Sequence, residues 1–367
     1  MPLDSARRRL IEGLGASALL GLPFAPLVLL TDKALAEPAK GRAQAQPKPK
    51  PNPKPSYAGH PAAQAFAAEV APRRGLSQAW VERSLAQARP LPAVQKLIMP
   101  PPAGQAKDWA AYRARFVEPR RINAGLTFWR ANETALHSAE RVSGVPAAII
   151  VAIVGVETFY GRIMGRFRVI DALATLSFDF PTGRRDRSAF FRAELEEFLV
   201  FAQREGLDPL LLKGSFAGAI GLPQFMPGSI NRFAVDGDGD GHIDLWANGS
   251  DVAASVANFL IRHGWQPGMP THHGVAVPVD STARATLLVP DILPTFSAAQ
   301  MTELGAELDA GGRSHTGPMA LVELQNGALA PSYVSGTENF YALTRYNWSA
   351  YYAMAVIDLA AALQRGR

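Results

Sequence analysis

VPAAIIVAIVGVETFYG, residues 145–161, is the stretch on which the reading of this chain turns. From Val145 to Val156 no side chain carries a charge, so the pattern predicts a helix buried nearly all round. Twelve residues are too few to span a bilayer. Pro146 suits a first helical turn, Ser143 can cap it, and Gly161 is placed to stop the helix a turn after its one carboxylate, Glu157. Burial disfavours a carboxylate's charged form, which makes a glutamate a proton donor near neutral pH. On this stretch alone Glu157 stays open to two readings, a buried acid or a glutamate facing solvent at a helix end.

The 367 residues are 48% apolar, enough for one large core or two smaller ones. The net charge of +5 is local: residues 1–56 hold nine Lys and Arg against four acids, leaving 28 of each sign in the remainder. A neutral body argues against nucleic acid as a partner, which demands a clustered cationic surface. The absence of cysteine excludes disulfides, thiol chemistry, cysteine-ligated metal and a lipid carried on cysteine.

Arg7–Arg9, an apolar stretch 14–30 and Ala34-Leu35-Ala36 are the parts of an export signal over residues 1–36, cleaved in preference to an anchor because Pro23 and Pro26 interrupt the stretch. The arginine run also permits the twin-arginine route. Residues 37–56 (QPKPKPNPKPS within them) read as an extended linker. Helical patterns follow at 61–70, 77–88, 108–116 and 121–141, then, after the opening helix, at 169–176, 187–205 and 251–263. Residues 274–279, 283–289 and 320–324 read as strands, 297–305 as a short helix and 350–363 as a closing helix. The fold class expected is α+β, mainly α, divided into a helical region 57–270, a small β-containing lobe 271–338 and a C-terminal segment 339–367.

Two segments carry further chemistry. In LLLKGSFAGAIGLPQFMPGSIN, residues 210–231, Gly214, Gly218 and Gly221 let the backbone come close to something, and Ser215 and Gln224 are polar groups among apolar ones. This suits either a tight helix junction or the wall of a saccharide cleft. In Asp236-Gly-Asp-Gly-Asp-Gly-His242-Ile-Asp244, carboxylates at loop positions 1, 3 and 5 with glycine at 6 form the calcium-loop pattern. Ala247 stands where a glutamate closes such loops, and Asp251 can replace it; Asp244 can contribute directly or through water. Oxygen-only ligands favour Ca²⁺ over zinc. The paired Arg184 and Arg185 read as surface charge. No phosphate loop, HExxH helix or GxSxG elbow is present.

Gly155-Val-Glu-Thr158, Asp171-Ala-Leu-Ala-Thr-Leu-Ser-Phe178, Lys213-Gly-Ser-Phe-Ala-Gly-Ala219, Gln224-Phe-Met-Pro227 and Thr344-Arg-Tyr-Asn347 closely resemble the B-type lytic murein transglycosylases, periplasmic enzymes of lysozyme-like fold. The resemblance runs from about Tyr57 to the C-terminus. It implies a lysozyme-like catalytic domain with an EF-hand-like calcium loop, and cleavage of the β-1,4 bond between N-acetylmuramic acid and N-acetylglucosamine in peptidoglycan. Water is not the nucleophile in that reaction. One glutamic acid, here Glu157, protonates the leaving oxygen and then takes the proton of the muramoyl C6 hydroxyl as it attacks C1, giving a 1,6-anhydro end; a single carboxylate therefore suffices where a glycosidase uses two. By position the resemblance implies substrate contacts for Ser215, Gln224, Tyr112, Tyr346, Asn347 and Tyr352, and raises Arg184 and Arg185 to contacts near the peptide-bearing part of the substrate. It implies a calcium set of Asp236, Asp238, Asp240, the backbone oxygen of His242, and Asp251. The partners implied are glycan strands and, as candidates, other cell-wall enzymes, for a monomer in the periplasm. Without the family's lipid-bearing cysteine, a soluble or tethered form is expected. A hydrolytic muramidase on the same scaffold and a non-catalytic wall-binding protein are the alternatives.

Overall fold

The computed structural model describes residues 55–100 and 107–367; the expected export signal and nearly all of the linker lie outside them. The opening stretch forms the helix Ala147–Thr158, in which every residue but Val156 and Glu157 is buried. It packs against four helices: Pro119–Ala131, Glu133–Ser143, Gly249–Arg262 and Ala350–Arg365. Each of these turns an apolar stripe inward, as amphipathic helices around a fully apolar one must. A second group adjoins it, with Val169–Phe178 against Ser188–Arg204 and Pro92–Leu97, and with Pro227–Phe233 completing the layer. Pro61–Arg74 and Gln78–Ala86 pair at the N-terminal side. Among the described residues no single helix is long and apolar enough to cross a membrane.

The helix 121–141 expected as one piece is two, Pro119–Ala131 and Glu133–Ser143, broken at Asn132. Ser143 does not cap the core helix: its hydroxyl donates back to the Ala139 carbonyl, and Pro146 takes the cap position. The strand expected at 283–289 is the helix Ser281–Leu288, started by Asp280, whose carboxylate accepts from the Thr282 and Ala283 N–H groups. That cap satisfies donors a helix end leaves open, and it decides a segment whose alternation also fits a strand. The strand expected at 274–279 is reduced to Val275–Ala276.

The lobe carries a three-stranded antiparallel sheet. Ala320–Asn326 pairs with Leu329–Gly336 from Ala320↔Gly336 to Asn326↔Leu329, and His272–His273 adds to the outer side of the second strand. The lobe closes a small core of its own from Leu287, Met301, Ala306, Leu308, Met319 and Leu321, separate from the main core. Ala320, Val322 and Leu324 turn from the sheet into the main core, and polar ties add to this: Asp108 bridges to Asn326, and the Tyr351 hydroxyl donates to the Gln325 carbonyl while accepting from the Gln325 N–H at 2.7 Å.

Candidate active site and cation loop

Glu157 stands in the last turn of the core helix, where the chain leaves the interior. The helix stops before the expected Gly161, because Phe159 (φ 51°) and Tyr160 (φ 57°) both take left-handed backbone, and their N–H groups cap the Gly155 and Val154 carbonyls respectively. Thr158 is fully buried and fastens this end: its hydroxyl reaches the Val154 and Leu222 carbonyls, each at 3.1 Å, and accepts from the Gly161 N–H. The Leu222 bond ties the acid's helix to the 210–231 segment.

The Tyr352 hydroxyl donates to Glu157 Oε1 at 2.6 Å. Tyr352 is held by the start of the last helix, where the Ser349 side chain accepts its N–H. The Tyr346 ring stacks on Tyr352 with centroids 6.1 Å apart and planes 14° apart, and its own hydroxyl donates to the Pro223 carbonyl at 2.8 Å. Enclosure by protein pushes the Glu157 carboxyl up to about 7, against the opposing pull of the Tyr352 hydrogen bond. Burial likewise drives Tyr352, Tyr346 and Tyr112 upward, and the Glu157 charge adds to each, so all three hydroxyls stay protonated donors. Tyr112 packs its ring among Trp109, Phe116 and Tyr351 while its buried hydroxyl has no partner; the buried Oδ1 of Asn347 also has none. Buried polar atoms are nearly always paired, and these two are among the eleven buried side-chain atoms of the described residues that are not.

Ser215 and Gln224 serve the loop first. The buried Ser215 hydroxyl accepts from the Ala217 and Ala219 N–H groups at 3.2 and 3.0 Å, and the Gln224 amide donates to the Gly221 carbonyl at 2.9 Å from a left-handed backbone (φ 49°). What the glycines approach is protein: a Cβ at Gly214 would lie 2.2 Å from the Ala219 carbonyl oxygen, and one at Gly221 would lie 2.6 Å from that of Leu245. Arg184 bonds the Ile98 carbonyl and lies 5.8 Å from the Phe180 ring, while Arg185 is exposed on the same turn.

In the acidic loop, oxygens of Asp236, Asp238 and Asp251 converge within 4.8 Å of one another. Asp240 is not in that group; its carboxylate accepts from the His242 N–H at 2.8 Å. Asp251 is buried on the first turn of Gly249–Arg262, where its two oxygens accept from the Gly237 and Asp244 N–H groups. Among the described residues none of the three carboxylates forms a salt bridge. Three unneutralised carboxylates so close together fit a hard divalent cation with oxygen ligands.

The profile of the transglycosylase SLT domain matches residues 58–361. The sequence is 40% identical over 345 residues to the membrane-bound lytic murein transglycosylase B of Escherichia coli (strain K12), covering 92% of each chain. The structure is similar to that of the soluble lytic transglycosylase SltB1 from Pseudomonas aeruginosa, with a TM-score of 0.76 and 39% identity over 84% of this chain and 99% of that one. It is also similar to the Escherichia coli lytic transglycosylase Slt35 in complex with calcium, with a TM-score of 0.75 and 38% identity over 86% and 96% of the two chains.

Proposed function

The chain belongs to the transglycosylase SLT domain family of lytic murein transglycosylases, and from that membership we propose that it cuts peptidoglycan glycan strands in the cell envelope with Glu157 as acid and then base. The observation that supports the role is Glu157 itself, the one carboxylate on a fully apolar helix, hydrogen-bonded to Tyr352 and pushed up to about 7. A group with that value holds and releases a proton near neutral pH with nearly equal ease, as a residue used in both roles must.

In the first step neutral Glu157 protonates the oxygen of the β-1,4 bond between N-acetylmuramic acid and N-acetylglucosamine, and the bond to muramoyl C1 breaks. In the second, the carboxylate takes the proton of the muramoyl C6 hydroxyl as that oxygen bonds to C1, leaving a 1,6-anhydro end and restoring the acid. The Tyr352 hydroxyl keeps one carboxyl oxygen engaged throughout, so the other carries the proton. The unpartnered Tyr112 hydroxyl and Asn347 Oδ1 supply hydrogen bonds to the sugars, with Tyr346, Ser215 and Gln224 forming the walls. Arg184 and Arg185 are assigned to the stem-peptide side of the strand. Asp236, Asp238 and Asp251 would hold Ca²⁺, with Asp240 and the His242 backbone oxygen as the further ligands the family resemblance implies, and the ion would brace the Gly249–Arg262 helix against the core.

Digestion of purified sacculi by wild type and Glu157→Gln tests the proposal. The wild type is expected to release anhydromuropeptides, lighter by one water than hydrolytic products, and the variant to lose at least about 100-fold in rate. Anhydro products at the wild-type rate from Glu157→Gln would remove Glu157 from the reaction, and reducing-end products from the wild type would make the enzyme a hydrolase.

A further inference from the structure

We propose that Arg121 is a positioning residue for this reaction: it holds the last turn of the core helix, and through that turn the direction of the Glu157 carboxyl, without touching substrate. The proposal rests on the role given to Glu157 above.

Arg121 lies in the first turn of Pro119–Ala131, where the Glu118 carboxylate accepts the Arg120 and Arg121 N–H groups. Its side chain turns inward and is 4% exposed, an unusual place for an arginine. It forms no salt bridge among the described residues; a carbonyl and two rings take up its charge instead. Nη1 donates to the Gly155 oxygen, and the guanidinium lies 4.5 Å from the Phe159 ring centre and 5.2 Å from that of Phe116. Gly155 is in the last turn of the core helix, where the helix dipole favours a cation, and its carbonyl accepts from both the Phe159 N–H and Arg121.

Gly125 is four residues on from Arg121 and so on the same helix face. Against this face, and against Gly155 across the seam, lies the Tyr160 ring. A Cβ at Gly125 would meet the Tyr160 hydroxyl at 2.3 Å, and one at Gly155 would meet it at 2.5 Å. Arg121, Gly125 and Gly155 therefore form a socket whose two occupants are Phe159, under the guanidinium, and Tyr160, in the notch. These are the two consecutive left-handed residues that follow Glu157-Thr158. Non-glycine residues keep such backbone only where their surroundings over-determine it, and that strain gathers at functional sites. Without Arg121 the Gly155 carbonyl loses a donor and Phe159 its stacked cation, and the turn can relax. Glu157, two residues before Phe159, turns with it and leaves the 2.6 Å contact with Tyr352.

The test compares wild type with Arg121→Met, Arg121→Lys, Phe159→Leu and Glu157→Gln. Turnover of a soluble peptidoglycan oligosaccharide is measured between about pH 5 and pH 9, well below each variant's melting temperature. Arg121→Met is expected to lose about 10- to 100-fold in kcat with KM within about 2-fold, the mark of a misaimed group rather than lost binding. The basic limb of its profile is expected to move about one pH unit toward acid, because solvation of a released Glu157 outweighs the lost Tyr352 hydrogen bond, burial being the larger influence on its carboxyl. Arg121→Lys is expected to follow it, since an ammonium keeps the charge but not the planar stack. If Arg121→Met does not fold, Phe159→Leu, which leaves the Gly155 bond in place, must show the same limb shift. An unshifted limb in the folded variants overturns the positioning role and reduces Arg121 to a packing residue. Full activity in Glu157→Gln overturns the assignment of Glu157 instead, so the two failures are told apart.

Discussion

Replacing Glu157 by glutamine keeps the shape and deletes one ionisation, so it isolates what the fold loses by keeping this carboxyl out of water. In the unfolded chain the group titrates near 4.5; in the folded one it is pushed up to about 7. Between those values the unfolded state has released a proton that the native state still holds, so stability falls as pH rises through the window and levels off above it. At 1.36 kcal/mol per pH unit the rise is worth about 3 kcal/mol, reduced to about 2–3 kcal/mol by the solvent access Glu157 retains. The wild type should lose that amount between pH 4.5 and pH 8, and Glu157→Gln should keep it. Urea unfolding followed by tryptophan fluorescence at a series of pH values measures both. Other raised carboxyls, such as the buried Glu194, are common to the two proteins and cancel in the difference. Parallel stability curves for the two proteins would refute the raised acid, and with it the physical basis for one carboxyl serving both steps.

Tyr352→Phe removes the donor that favours the charged form of Glu157, so the basic limb of the pH–rate profile should move to higher pH while kcat falls about 10-fold or more. Asp251→Ala should abolish the stabilisation by calcium seen in a melting curve, about 2.7 kcal/mol in the wild type at a hundredfold excess over Kd, and magnesium should replace calcium poorly. Gly155→Ala would gain helix propensity in isolation, but here its Cβ would lie 2.5 Å from the Tyr160 hydroxyl; a net loss of about 1–3 kcal/mol in denaturant unfolding is expected. Thr158→Val keeps the volume and leaves the Leu222 carbonyl unpaired, for a loss of about 1–3 kcal/mol by the same measurement.

The core helix was legible because twelve uncharged residues ending in a carboxylate admit few arrangements in a chain this size. Asp251 was legible as the residue able to stand in for the missing glutamate, and its oxygens do converge with those of Asp236 and Asp238. The lobe was read less well. Its two-residue strands carry almost no periodicity, and residues 283–289 are apolar at alternate positions that fit strand or helix until Asp280 caps the first turn. The break at Asn132 has no glycine or proline to announce it, and only the packing shows that Gly249 lies so close that a Cβ there would lie 1.9 Å from Asn132 Oδ1. Arg121 is illegible in the sequence. An arginine in a first helical turn looks like surface charge, and only the packing shows that it points at Gly155.

The strand Ala320–Asn326 serves two cores at once: Leu321 closes the small one, while Ala320, Val322 and Leu324 alternate with it into the main one. At the end of the same strand Tyr351 grips the Gln325 backbone with its hydroxyl and braces Tyr112 with its ring. The place of the Tyr112 ring is therefore set in part by the sheet, through Tyr351.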